Sequence, residues 1–295
     1  MPVLTHRGLS LHYLERGAGR PLLLIHGLGS SAADWAFQVA ALESRFRVTV
    51  PDLPGNGHSD ALPGGYGIAD FAAALWALED SLGIGSTDIV GFSLGGAVAI
   101  EMALQRPGAV PRLALINSLA TYRIDHWRKW LEARAGAALV RVFGMRVAAR
   151  LTAARVFPEP WQHRMRARTA DVLGAVPAAA YLGMGRALES WSAVGRLDRL
   201  RSQILMIAAE FDYTPLAEKH ALARTLGARL IVVRDSRHGT PFDAIGLTNA
   251  SLLALLGDQP LPDEDRWARD ARGAEPEWPF AGSLAEEHAA VTLAA

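Results

Sequence analysis

Two kinds of hydrophobic pattern alternate along the chain. Short unbroken apolar runs at 22–25, 46–50, 88–90, 113–116, 204–208 and 230–233 predict strands buried on both faces, which is how parallel strands read. Between them, residues 68–82, 94–105, 216–226 and 244–256 repeat apolar positions at helical spacing. Gly83 and Gly227 stand where a helix would end, and Pro215 where one would begin. Residues 9–14 alternate instead, predicting an edge hairpin with the residues before them. Strand and helix in alternation predict an α/β chain: a mostly parallel, eight-stranded type of sheet flanked by helices.

Two stretches break the rhythm. Residues 120–195 hold no strand pattern but many Ala, Arg, Leu and Trp, and predict an all-helical insertion into the sheet region. Residues 257–295 carry Pro260, Pro262, Pro276 and Pro279 among acidic residues and predict a tail outside the core. The expected organisation is therefore a core of 1–119 and 196–256, a helical cap of 120–195 and an acidic tail of 257–295. Composition changes this picture little. The chain has 295 residues, 50% hydrophobic and 20% charged, with 30 basic and 30 acidic side chains and no cysteine. Zero net charge gives no global pull toward nucleic acid, and the missing thiols exclude disulfides, thiolate metal sites and a cysteine nucleophile. No segment has the makeup of a signal peptide or the length of a membrane span, so a cytoplasmic protein without stable membrane insertion is expected.

The strongest chemical signal is Gly91-Phe92-Ser93-Leu94-Gly95, with a strand pattern before it and a helix pattern after it. Those flanks are what a Gly-x-Ser-x-Gly nucleophile turn requires: a sharp reversal that exposes the Ser93 hydroxyl above the strand end. A serine hydroxyl needs a base. His238 follows the last predicted strand, whereas His6 and His12 lie on edge strands, His126 and His163 in the insertion, His220 in a helix and His288 in the tail. An acid to orient the imidazole is expected in the loop after 204–208, where Asp212 lies deeper in the turn than the alternative, Glu210. The loop after 113–116 begins Asn117-Ser118 and offers no acid. His26-Gly27-Leu28-Gly29 follows the 22–25 strand, and its glycines allow a backbone amide to turn toward the serine. The amides of Leu28 and Leu94 are the expected oxyanion donors.

With His26-Gly27-Leu28-Gly29, the Asp52–Ser59 turn, the 91–96 elbow, Asp212 and His238 in that order, the chain resembles the α/β-hydrolase superfamily over about residues 10–256. The resemblance implies the α/β-hydrolase fold with a lid at the insertion, serine esterase-like chemistry on a small-molecule ester, and no metal or other cofactor. Relatives that use an aspartate at the elbow, the haloalkane dehalogenases and epoxide hydrolases, do not fit Ser93. Ester, lactone and carbon–carbon hydrolysis all fit, as does a slow-turnover ligand receptor of this fold.

Large side chains near the expected mouth, Trp35, Phe92, Trp127, Trp130, Tyr181, Met184 and Trp191, are candidates to line a largely apolar pocket for small to medium substrates. Residues 123–168 are also strongly basic, which fits either solvated arginines on a roof over the site or a basic amphipathic surface for lipid or nucleic acid. The acidic tail fits either docking on that basic region through Trp267 and Trp278, in cis or across a homo-oligomer, or a disordered acidic end. No nucleic-acid partner is expected.

Overall fold

The computed structural model describes residues 2–6, 8–62, 65–270 and 278–279. Strands β1 (Val3–His6), β2 (Leu9–Arg16), β3 (Arg20–Ile25), β4 (Phe46–Pro51), β5 (Asp88–Phe92), β6 (Arg112–Ile116), β7 (Gln203–Ala209) and β8 (Arg229–Val233) form one sheet. Its order is β1-β2-β4-β3-β5-β6-β7-β8. The alternating residues 9–14 pair antiparallel with β1, Leu11 opposite Leu4. The 46–50 run, expected to be simply parallel, has two kinds of neighbour: β4 is antiparallel to β2 and parallel to β3. From β3 to β8 every pairing is parallel.

Helices α1 (Ala36–Leu42), α2 (Ile68–Ser81), α3 (Leu94–Gln105), α7 (Leu216–Leu226) and α9 (Ile245–Gly257) cover the two faces. Alternate strand residues divide between them. Leu23 and Ile25 pack with Phe71 and Leu75 of α2, Val98 and Met102 of α3, and Leu222 of α7. Leu22 and Leu24 pack with Val39 and Leu42 of α1 and with Leu252 and Leu255 of α9. Burial on both sides is why these strands read as continuous apolar runs. Two short helices escaped the periodicity: α1, and α8 (Thr240–Asp243), which opens on Gly239 and carries Pro241 in its first turn.

Between β6 and β7 the chain leaves the sheet as α4 (Trp127–Val156), α5 (His163–Ala175) and α6 (Ala178–Ser190). α4 is broken at Gly144, whose φ of 79° and ψ of 168° interrupt the helical backbone. The neck of the insertion is closed by an antiparallel bridge between Thr121 and Ser192. It is further tied by Ala193 N–H donating to the Ala120 carbonyl at 2.8 Å.

The expectation of a tail lying outside the core needs correction for its described part. Ala268 pairs with Arg234 beyond the end of β8, and the Asp270 carboxylate accepts from the Ile245 amide at the start of α9, at 2.9 Å. Trp278 packs edge-on against Phe37 at 4.6 Å, with the Arg168 guanidinium 4.0 Å above its ring. Trp278, one of the two expected anchors, thus meets an arginine of the basic insertion through the face of its ring. In the ion pair between tail and insertion, Arg269 with Glu159 at 3.6 Å, the base is on the tail. Residues 271–277 and 280–295, including the acidic side chains Glu275, Glu277, Glu286 and Glu287, lie outside the described residues. Among the described residues, no helix is long and apolar enough to cross a membrane.

Glu79, on the buried face of α2, gives a pH-dependent signature. Burial pushes its carboxyl from 4.5 to about 7, against the opposing influence of Thr87 and Arg47. The folded state then keeps a proton that the unfolded chain releases near 4.5, so stability falls as pH rises through the interval and the full cost is present above 7. Glu79→Gln is expected to stabilise the protein by on the order of 2 kcal/mol above neutrality and to change little near pH 4. Urea midpoints across that range measure it; a parallel shift at all pH values would contradict it.

Candidate active site

The β5-to-α3 turn places Ser93 with φ 54° and ψ −117°, a backbone conformation that non-glycine residues rarely adopt. The surrounding residues enforce it. A Cβ on Gly91 would strike the Gly95 carbonyl, and one on Gly95 would strike the Ile25 carbonyl, so strand, turn and helix close up only around glycines. Ser93 N–H donates to the Ile116 carbonyl at 2.9 Å, and the Ser118 hydroxyl donates to the Ser93 carbonyl at 2.9 Å. With its backbone fixed, the Ser93 hydroxyl lies 3.0 Å from His238 Nε2.

His238 Nδ1 is in turn 2.7 Å from Asp212 Oδ1. With Nδ1–H donating to the carboxylate, Nε2 is left to accept from the serine. Asp212 follows β7 and His238 follows β8, so the connections after β5, β7 and β8 deliver the three side chains to the C-terminal edge of the sheet. Asp212 Oδ1 also accepts from the Tyr213 amide at 2.8 Å. Its Oδ2 accepts from the Thr214 hydroxyl at 2.6 Å and from Lys219 Nζ. Burial alone would raise the Asp212 carboxyl. The hydrogen bond and charge of His238, followed by those of Lys219, outweigh it and hold the carboxyl well below the usual range. Glu210, the alternative acid, is elsewhere: it accepts from the Asp235 amide at 2.9 Å.

The loop after β3 approaches from the other side. A Cβ on Gly27 would come within 3.3 Å of the Ser93 Cβ, so this loop packs directly against the β5-to-α3 turn. The Leu94 amide is the first of α3, among those with no acceptor inside their own helix. Buried His26 fixes this loop: Nδ1 lies 2.8 Å from the Gly27 carbonyl, and Nε2 accepts from the Leu53 amide at 2.9 Å. Burial lowers the His26 pKa, in keeping with a neutral ring.

Above Ser93 and His238 is a cavity of about 460 Å³ walled on the far side by the insertion, including Val156, Phe157, Leu173 and Leu188. Of the side chains expected to line it, Phe92 and Tyr181 do. The others do not, for three reasons. Trp35 and Met184 are only 2% and 0% exposed, buried in core clusters on opposite sides of the sheet. Trp191 turns inward, its indole N–H donating to the Glu101 carboxylate at 2.9 Å. Trp127 and Trp130 face outward, 64% and 50% exposed. The cavity uses the other edge of the same helix, at Lys129, Glu132 and Ala133.

The alpha/beta hydrolase fold family model matches residues 20–244. The chain belongs to the α/β-hydrolase family. This hydrolase is 31% identical over 238 residues to a putative carbamate hydrolase, RutD, of Pseudomonas savastanoi, an alignment covering 78% of this chain and 91% of that protein. It is 36% identical over 117 residues to the (E)-2-((N-methylformamido)methylene)succinate hydrolase of Acinetobacter baylyi, but that match spans only 43% of the relative and 39% of this chain. The enol-lactonase of Burkholderia xenovorans LB400 superposes with a TM-score of 0.79 at 26% identity, covering 87% of this chain and all (100%) of that one. A thermophilic esterase from Thermogutta terrifontis gives a TM-score of 0.78 at 25% identity, covering 87% of this chain and 98% of that one.

Three residues of this hydrolase that the motifs do not reveal hold the site together. Asn117, with φ 48°, donates through Nδ2 to the His238 carbonyl and to Thr240 Oγ1, each at 2.8 Å. Its Oδ1 accepts from the Ala209 amide at 2.7 Å, so one side chain ties the end of β6 to the loops carrying the acid and the imidazole. Lys219 is fully buried at 0% exposure and reaches both Asp212 and Asn117 Oδ1. Tyr213 stacks on the His238 ring with centroids 4.0 Å apart. Lys219 is one of only two lysines in the chain, the other being Lys129 at the cavity wall. In an arginine-dominated sequence that rarity was the available signal.

Proposed function

We propose that the enzyme is a serine hydrolase that cleaves carboxylic ester bonds of small to medium, largely apolar substrates through an acyl-enzyme on Ser93. The observation that carries this reading is the continuous hydrogen-bonded chain from Ser93 through His238 to Asp212, opening onto an apolar cavity. Ser93 Oγ attacks the ester carbonyl while His238 Nε2 takes its proton. The resulting oxyanion is held by the amides of Leu28 and Leu94, the latter at the positive end of α3. The protonated imidazole then donates to the departing alkoxide, which leaves as the alcohol. Water, deprotonated by the same nitrogen, attacks the acyl-enzyme, and the proton returns to Ser93 as the acid is released. Asp212 keeps its charge throughout and stabilises the imidazolium.

Wall chemistry narrows the substrate. Lys129 is the one lysine or arginine among the described residues lining the cavity, against Asp34, Glu132, Glu189 and Glu218, and it already lies 3.8 Å from Glu218. Such a wall favours uncharged acyl and alcohol groups over carboxylates. A second reading, lactone hydrolysis by the same steps, is favoured by the likeness to the enol-lactonase; there the leaving alcohol stays tethered to the acyl group. Fluorophosphonate labelling with peptide mapping, followed by neutral esters of increasing chain length, matched lactones and their carboxylate-bearing analogues, tests the proposal. Labelling at Ser93 with ester turnover exceeding lactone turnover is expected. Turnover without labelling at that residue would overturn it.

A further inference from the structure

We propose that the outer face of α4 is a docking surface for an anionic lipid bilayer, which seats the cavity beside the membrane. Seven of the exposed large hydrophobic residues fall on this one helix; the argument rests on Trp130, Leu131, Val142, Phe143, Val147 and Leu151, from 39% to 70% exposed. Before the break at Gly144, positions 130, 131, 134, 138, 141 and 142 are exposed and share one side of the helix at intervals of three and four. After it, 147, 150, 151 and 154 do the same. Arg134, Arg141 and Arg150 are interleaved with the apolar side chains on these stripes. Glu132, the one acid in the sequence of α4, lines the cavity instead.

A solvated helix of a soluble enzyme has no use for so much exposed aromatic and aliphatic surface. Apolar side chains that enter the acyl boundary, with arginines at headgroup level, make the pattern of an interfacial helix. Charge selects the occupant. Two copies of the face meeting each other would oppose arginine to arginine, whereas anionic headgroups neutralise every one of them. The opposite edge of the helix, at Lys129, Glu132, Ala133 and Thr152, is cavity wall, so a membrane on the stripe lies one helix width from the cavity that an apolar ester would fill.

The test is co-sedimentation of the full chain with phosphatidylcholine vesicles, with and without phosphatidylglycerol, at low and high salt. Binding to the anionic vesicles at low salt, weakened by salt and by omission of phosphatidylglycerol, is expected. Arg134→Glu/Arg141→Glu/Arg150→Glu is expected to lower partitioning on the order of a hundredfold, and Trp130→Ser/Phe143→Ser by roughly tenfold or more. Both variants should hydrolyse a soluble short-chain ester at the wild-type rate, which shows that they fold. Absence of binding to anionic vesicles at low salt, or equal binding by the variants, overturns the proposal. So does a concentration-dependent dimer that the same substitutions abolish, which would assign the face to a second copy. Vesicle binding seen only after removal of residues 271–295 would likewise overturn it, assigning the face to the chain's own acidic end.

Discussion

Ser93→Ala is expected to lower kcat/KM for an activated ester by on the order of 10³-fold to 10⁶-fold and to abolish fluorophosphonate labelling. Folding should be almost untouched. Alanine pays the same backbone penalty at φ 54° as serine does, and the Ile116 carbonyl and the Ser118 hydroxyl both contact Ser93 through its backbone. Only the hydroxyl that meets His238 disappears. The comparison therefore separates chemistry from architecture: the urea midpoint stays within about 1 kcal/mol of wild type while turnover collapses. A variant retaining even a tenth of wild-type turnover would mean that the reaction does not pass through this oxygen.

The second large effect concerns stability as well as rate. Lys219→Met leaves Asp212 charged and buried with one counter-charge fewer, and is expected to cost about 3–5 kcal/mol, as other one-sided disruptions of buried ion pairs do. Burial lowers the Lys219 pKa, and the neighbouring Asp212 opposes that shift, so the ammonium depends on its partner as much as the carboxylate depends on it. In Lys219→Met the Asp212 carboxyl moves up from its depressed value, and acid inactivation begins at higher pH. The sign follows from linkage: a carboxylate held low in the folded state contributes stability above its unfolded pKa and loses it as pH falls through the folded one. Asp212→Asn on its own is expected to reduce kcat on the order of 10⁴-fold. Combined with Lys219→Met, it should regain part of the lost stability and none of the activity. Denaturation of the four proteins in this double-mutant cycle, with a pH–rate profile for Lys219→Met, makes the measurement. Additive stability losses would show that the two charges do not act as a pair.

How much of this could be read in advance depended on whether the signal was local. Strands buried on both faces announce themselves as apolar runs, and Ser93 is marked by glycines whose spacing follows from the tightness of its turn. His238 and Asp212 could be singled out because a parallel sheet gathers the residues that follow its strands at one edge. Direction was not legible. Trp35, Trp127, Trp130 and Trp191 are chemically alike in sequence, yet two are buried and two face outward, because helix phase and neighbouring partners decide where an indole points. Asn117 looked like the absence of an acid; its importance lies in contacts to residues 92 and 121 positions away along the chain, which no local pattern encodes. Trp278, within a Pro-rich acidic stretch, lies on Phe37 for a similar reason: its partner belongs to the other end of the sequence.

The closed neck at Thr121 and Ser192 has an evolutionary corollary. Because β6 and β7 are adjacent and in register from Arg112 opposite Gln203 to Ile116 opposite Ile207, the intervening residues 117–202 depart and return at nearly one point in space. Natural variation can lengthen, shorten or exchange that excursion while the strands beneath stay paired. The far wall of the cavity and the strand ends beneath it are thereby carried by different stretches of one polypeptide.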